Sequence, residues 1–178
     1  MLDQRTKIEA KQYARKALRV YLGVEEQREN LPDSPTLLES LGVFVTLTNH
    51  GKLRGCLGDI ETNKPLYQSI QELAVAAASR DWRFNPVTQT ELEDIEIEIS
   101  ILTKPRRIND WQEIILGKHG VIIERDGHKG VFLPQVALEG KFSLEAFLGL
   151  LCSQKAGLPA EAYRDTKTKI ETFEAEVF

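Results

Sequence analysis

Apolar residues recur at three- and four-residue spacings at Ala10, Tyr13, Ala14, Ala17, Leu18, Tyr21 and Leu22, with Lys11, Arg15, Lys16 and Arg19 between them. That period predicts an amphipathic helix ending near Gly23. Glu25, Glu26, Gln27, Arg28, Glu29 and Asn30, followed by Pro32 and Pro35, read as a polar, exposed connection. The period then changes. Val43, Phe44, Val45, Thr46, Leu47 and Thr48 form a β-branched and aromatic run, and Asn49, His50 and Gly51 supply turn chemistry, so residues 52–58 become the second strand of a hairpin. Pro65 fits the first turn of a helix carried on by Leu66, Ile70, Leu73, Ala74 and Ala77 and closing near Ser79 and Arg80. From Ile95 to Ile101 isoleucine alternates with Glu96, Glu98 and Ser100, a strand with one buried and one wet face.

The second half of the chain repeats these signals less regularly. Lys104, Pro105, Arg106 and Arg107 read as a basic loop, and Asp110 to Glu113 has the spacing of a capping box for a short helix. Apolar runs at 121–123 and 131–133 flank Asp126 and Gly127 as a second hairpin. Ser143 caps a helix bearing Leu144, Phe147, Leu148, Leu151 and Cys152, with Gly157 and Pro159 as its stop; residues 173–177 alternate as a last strand. Hairpins separated by helices, without a regular βαβ repeat, predict an α+β fold.

At 178 residues and 42% hydrophobic content the chain is expected to form a single domain with one substantial core. Twenty-three basic against 27 acidic residues give a net charge of -4, which argues against nucleic acid as a main partner. Two cysteines, outside any CxxC spacing, fit a reducing compartment and a cytoplasmic location. No stretch reads as a signal peptide or a membrane span. The three histidines and two cysteines are scattered, so no metal site is expected, and neither a P-loop nor a GxGxxG supports a nucleotide cofactor.

Candidate chemistry concentrates in Leu53, Arg54, Gly55, Cys56, Leu57 and Gly58. In an extended strand Arg54 and Cys56 project from one face and Leu53 and Leu57 from the other, and fixed positive charge at Lys52 and Arg54 favours a thiolate. Two readings of Cys56 follow. It is a small, inert strand residue, or it is a nucleophile for a transfer or hydrolysis reaction with Arg54 binding an anion. A nucleophile needs a base; His50 lies on the expected turn, and His119 reaches Cys56 only through the fold. Arg80, Asp81, Trp82, Arg83 and Phe84 gather guanidiniums, a carboxylate and aromatics at a helix end, either as a corner network or as a recognition surface.

These residues resemble the AMMECR domain family, which includes protein A of the AmmeMemoRadiSam system. The resemblance rests on residues 53–58 with the strand at 44–47 before them, on Asp81, Arg83 and Phe84 with Pro86 and Val87, on His119-Gly120-Val121, on residues 132–137 and on 155–159. Leu57 stands where isoleucine is more usual, and Tyr163 where tryptophan is expected. The resemblance implies one AMMECR-type domain over 1–178, built as two subdomains of antiparallel or mixed sheet with packed helices and a cleft between them. It implies a role beside a radical-SAM protein and a MEMO-like protein; the arginines themselves point to a small anionic ligand or a protein partner, and the composition and motifs to no cofactor, nucleic acid or membrane. Carried over residue by residue, Arg54, Gly55, Cys56, Gly58, Asp81, Arg83, Phe84, His119 and Gln135 are the positions it marks.

Overall fold

The computed structural model describes residues 2–26 and 30–178, so Gln27, Arg28 and Glu29 of the expected polar connection lie outside the described residues. The chain divides into two compact units, Met1–Leu102 with Glu176–Phe178, and Thr103–Ala175.

In the first unit, helix α1 (Gln4–Tyr21) starts earlier than its apolar period suggests, because Asp3 caps it: its carboxylate accepts the Thr6 amide at 2.7 Å. Thr6, Ala10, Ala14 and Leu18, each four residues apart, form the buried stripe, while Tyr21 is left exposed. Small residues in that stripe bring α1 close to α2 (Leu66–Ser79), whose own inward face carries Ile70, Leu73, Ala74 and Ala77. Strands β1 (Val43–Asn49) and β2 (Lys52–Asp59) form the expected hairpin. His50 and Gly51 take φ of 49° and 73°, the paired left-handed conformation that a two-residue hairpin turn requires.

Strand β3 (Ile95–Leu102) pairs antiparallel with the other side of β1, leaving β2 at the edge of the order β2-β1-β3. Val43, Val45 and Leu47 of β1 and Ile95, Ile97, Ile99 and Ile101 of β3 are buried with both helices, so the alternation of isoleucine and glutamate marks the two faces correctly. Beyond β3, Ile99 and Phe178 exchange both backbone hydrogen bonds, at 2.9 and 3.1 Å, which ties the last residue into this unit.

The second unit contains β4 (Arg106–Ile108), β5 (His119–Arg125), β6 (His128–Phe132) and, as far as Ala175, the strand β7 (Lys169–Val177), paired antiparallel in the order β4-β7-β5-β6. The basic stretch at 104–107, expected as a loop, enters the sheet at Arg106: Ile108 behind it is buried opposite Ile170, and that pairing draws both arginines into a short strand. Asp110 to Glu113 does form a capping box, around a single 3-10 turn at Trp111–Glu113. Helix α3 (Pro134–Gly140) carries no apolar period long enough to predict it. Ser143 caps α4 (Leu144–Leu150), which widens into a π turn over Leu151–Lys155 before Gly157 turns the chain at φ 65°. Val121, Ile123, Phe132, Phe147, Leu148, Leu151 and Cys152 make this unit's core. Helices and antiparallel strands in these proportions are an α+β fold. Among the described residues no helix is long and apolar enough to cross a membrane.

Candidate functional site

The strand carrying Arg54 and Cys56 is irregular. Leu47 pairs with Gly55, yet Thr48 pairs with Leu53, so Arg54 has no partner across the ladder and forms a β-bulge. The bulge overturns the simple alternation expected for 53–57. Leu53 shares a face with Thr48 and is 43% exposed, whereas Leu57 packs against the core. Freed from the ladder, the guanidinium of Arg54 is consumed by the protein itself. Its Nε and Nη2 donate to the two carboxylate oxygens of Glu91 at 2.8 and 3.2 Å, and Nη1 and Nη2 donate to the carbonyls of Asn85 and Pro86 at 2.8 and 3.2 Å. Four of its five donors are occupied. Arg54 thus clamps the segment after α2 onto the edge strand instead of presenting a fork to a ligand.

Glu91 completes that clamp. It is the third residue of a 3-10 turn (Gln89–Asp94) capped by Thr88, and its carboxylate also accepts the Thr88 amide at 2.9 Å. The Arg54 hydrogen bonds, with those of Thr88, hold its carboxyl down at about 2 against burial. Glu91 was not among the residues singled out from the sequence, although Thr88-x-x-Glu91 is a legible capping-box signature.

One residue of the expected recognition corner meets Cys56 directly, and a second is held by the first. Asp81, just past the end of α2, is buried, and its Oδ2 accepts the amide of Cys56 at 2.9 Å. Since β2 is the edge strand, this carboxylate satisfies a backbone donor that the sheet leaves open. Arg83 folds back to give Asp81 a two-pronged pair, Nε to Oδ1 at 2.9 Å and Nη2 to Oδ2 at 2.7 Å, and its own amide adds a third contact at 3.2 Å. These hydrogen bonds, Arg83's first, hold the Asp81 carboxyl well below the usual carboxylate range despite its burial. The guanidinium also lies 5.4 Å from the centre of the Phe84 ring, and 42% of the Arg83 side chain stays open to solvent. Trp82 between them is 91% exposed.

Cys56 pairs with Thr46, which in turn pairs with Glu98, and these three side chains cross the wet face of the sheet in one row. The Thr46 hydroxyl donates to the Cys56 sulfur at 3.2 Å. Among the described residues that hydroxyl is the sulfur's hydrogen-bond partner, and it is no general base. The two glycines of the motif answer to close contacts. A Cβ on Gly55 would stand 2.1 Å from the carbonyl oxygen of Ala77 in α2, and one on Gly58 would stand 2.2 Å from the ring of Phe44.

The remaining marked residues fall elsewhere. His50 lies on the hairpin turn, 3.9 Å from an oxygen of Asp94. His119 and Gln135 belong to the second unit. There His119 Nδ1 accepts the Ile115 amide at 3.1 Å, and burial pushes its pKa down. Cys152 is fully buried and its thiol is pushed up by desolvation. Among the described residues, no group of three or more histidine, cysteine, aspartate or glutamate side chains could hold a metal ion.

Comparison with known proteins places this geometry. The family model described as AMMECR1 matches residues 11–178. A protein of Methanothermobacter thermautotrophicus is 42% identical over 156 residues, covering 84% of this chain and 80% of its own. One of Thermococcus onnurineus is 41% identical over 178 residues, covering 93% and 85%. The crystal structure of an uncharacterised protein from Pyrococcus horikoshii superposes with a TM-score of 0.83 at 34% identity, over 99% of this chain and 92% of that one. With a family model matched along nearly its whole length and relatives above 40% identity, the chain belongs to the AMMECR1 family.

Proposed function

We propose that the protein is a binding component, without catalytic chemistry of its own, in a system containing a radical-SAM protein and a MEMO-like protein, and that it meets one of them through the Cys56 edge and the Asp81–Arg83 corner. The observation that carries this reading is Trp82, 91% exposed and adjacent to an arginine that is fixed by Asp81 yet 42% open. An exposed tryptophan beside a pre-oriented guanidinium is the composition of an interface anchor. Because Asp81 already fixes the fork, little side-chain entropy is lost when it meets a carboxylate or phosphate. Arg54, Gly55 and Gly58 hold the edge strand in place beneath the corner, and Cys56 lies on its wet face. Binding is favoured over a Cys56-centred reaction because the sulfur's neighbour is a threonine hydroxyl and Arg54, the expected anion holder, is bound to Glu91. The experiment uses Trp111→Phe, which leaves Trp82 as the one tryptophan. Adding the radical-SAM protein or the MEMO-like protein should shift the Trp82 emission to the blue and saturate, and Arg83→Ala should weaken that association. An emission unchanged by both proteins overturns the proposal.

A further inference from the structure

Strand β2 is defended along its first half only. An edge strand leaves a row of unpaired amides and carbonyls, which proteins blunt with bulges, cations, prolines or covering groups. Up to Cys56 such devices are present: Lys52 at the start of the strand, the bulge at Arg54, and Asp81, whose carboxylate occupies the Cys56 amide. Cys56, Leu57, Gly58 and Asp59 bring neither a proline nor a cation.

The hydrogen bond to Asp81 also fixes where the open groups point. In an antiparallel ladder the N–H and C=O of one residue face the same side, and the side alternates along the strand. Cys56 donates away from β1, so its carbonyl faces away as well. No register shift intervenes before Gly58, which therefore turns both its N–H and its C=O outward. Leu57 and Asp59, paired with Val45 and Val43, direct theirs to β1. Because β2 ends the sheet order, no strand of this chain reaches the outward groups, and among the described residues no hydrogen bond engages the Cys56 carbonyl or either group of Gly58. What remains is a carbonyl, an amide and a carbonyl along one edge, the pattern that another extended backbone complements. Gly58 adds no side chain to obstruct it, and the Phe44 ring fills the place its Cβ would take, giving an apolar neighbour to a residue laid alongside.

We propose that the partner met at the Cys56 edge docks by strand addition: an extended segment of it pairs with the Cys56 carbonyl and with both groups of Gly58, an apolar residue facing Phe44. Asp81 marks where the pairing stops. The inference rests on the interface reading above and says how that interface is made. The test is amide hydrogen exchange of the whole protein, resolved by residue with NMR, alone and with the radical-SAM or the MEMO-like protein, beside the Trp82 emission of the same mixtures. In the protein alone the Gly58 amide should exchange at least about tenfold faster than that of Leu57. The partner should slow Gly58 by about tenfold or more. Asp59→Lys, an edge lysine at an exposed position, should remove most of that slowing, and Asp59→Asn should keep it. A Trp82 shift with Gly58 exchange unchanged overturns strand addition and leaves the interface reading standing, whereas slowed Gly58 exchange without a Trp82 shift supports strand addition and overturns the corner. No change in either overturns both. Slowing that persists in full in Asp59→Lys shows an edge covered without pairing, and slowing in the protein alone as its concentration rises shows a second copy as the occupant; either result overturns the proposal.

Discussion

Asp81 and Cys56 are joined by a 2.9 Å hydrogen bond from the edge-strand amide to a carboxylate oxygen, and the same oxygen is held by Arg83 at 2.7 Å. One buried carboxylate therefore fixes both the open edge of β2 and the orientation of the exposed guanidinium. Replacing Asp81 with alanine strands the amide and frees Arg83. Urea denaturation should show a loss of about 2–4 kcal/mol, from one buried donor left unpaired and a charge-assisted contact removed. Asp81→Asn, which can still accept from the amide, should lose less. Equal stability of Asp81→Ala and the parent would contradict the role assigned to this carboxylate.

Glu91 and Asp81 both have folded-state carboxyls below their ordinary values, Glu91 at about 2 against 4.5. A depressed carboxyl contributes stability that is complete above its unfolded value and is lost as pH falls towards the folded one. Stability should accordingly be flat in these terms above pH of about 5 and fall between about 4.5 and 2. In Glu91→Gln the slope of unfolding free energy against pH in that window should be shallower by up to one proton. An unchanged slope would show that Arg54 does not hold Glu91 ionised.

How much of this was legible in the sequence varies by element, for physical reasons. The strand at 95–102 and the turn at His50-Gly51 were readable, because alternation and left-handed turn residues are local consequences of the chain. The partner of Arg54 was not. Glu91 is 37 residues away and meets it only because a bulge turns Arg54 out of the ladder; Gly55 fits a bulge or a close backbone approach alike and does not say which residue leaves the ladder. The Asp81–Arg83 pair was legible as proximity, but its attachment to the Cys56 amide depends on where α2 ends over the sheet. Helix α3 and the short strand β4 were missed since each is shorter than the window that periodicity needs.

The glycines of the motif should differ sharply from the glycine of the turn before it. Gly55→Ala places a methyl group against the Ala77 carbonyl, where both partners are backbone, and should cost about 3 kcal/mol or more, at the upper end of overpacking. Gly51→Ala meets nothing within 4 Å and suffers only from its φ of 73°, a cost of about 1–2 kcal/mol. Thermal melts of the two variants should rank them in that order. The reverse order would mean that α2 yields at Ala77.

The two thiols should separate by access. Cys152 is fully buried in the second unit, whereas Cys56 is partly exposed. A disulfide reagent such as Ellman's should modify one thiol of the native protein and the second only after unfolding, and Cys56→Ser should abolish the native-state reaction. Modification of both thiols at one rate in the native protein would show that the core around Cys152 opens.

The bulge at Arg54 also sets the phase of everything after it. With Asn49 paired to Lys52 by a two-residue turn, an unbroken ladder would count forward to bring Cys56 opposite Val45, on the face covered by α2. One uncounted residue moves it opposite Thr46 instead. The thiol owes its contact with water to Arg54, two positions upstream, standing outside the ladder. Drawing Arg54 back into the ladder would turn the sulfur inward, whereas deleting any one residue between Lys52 and Arg54 would remove the bulge and leave Cys56 opposite Thr46.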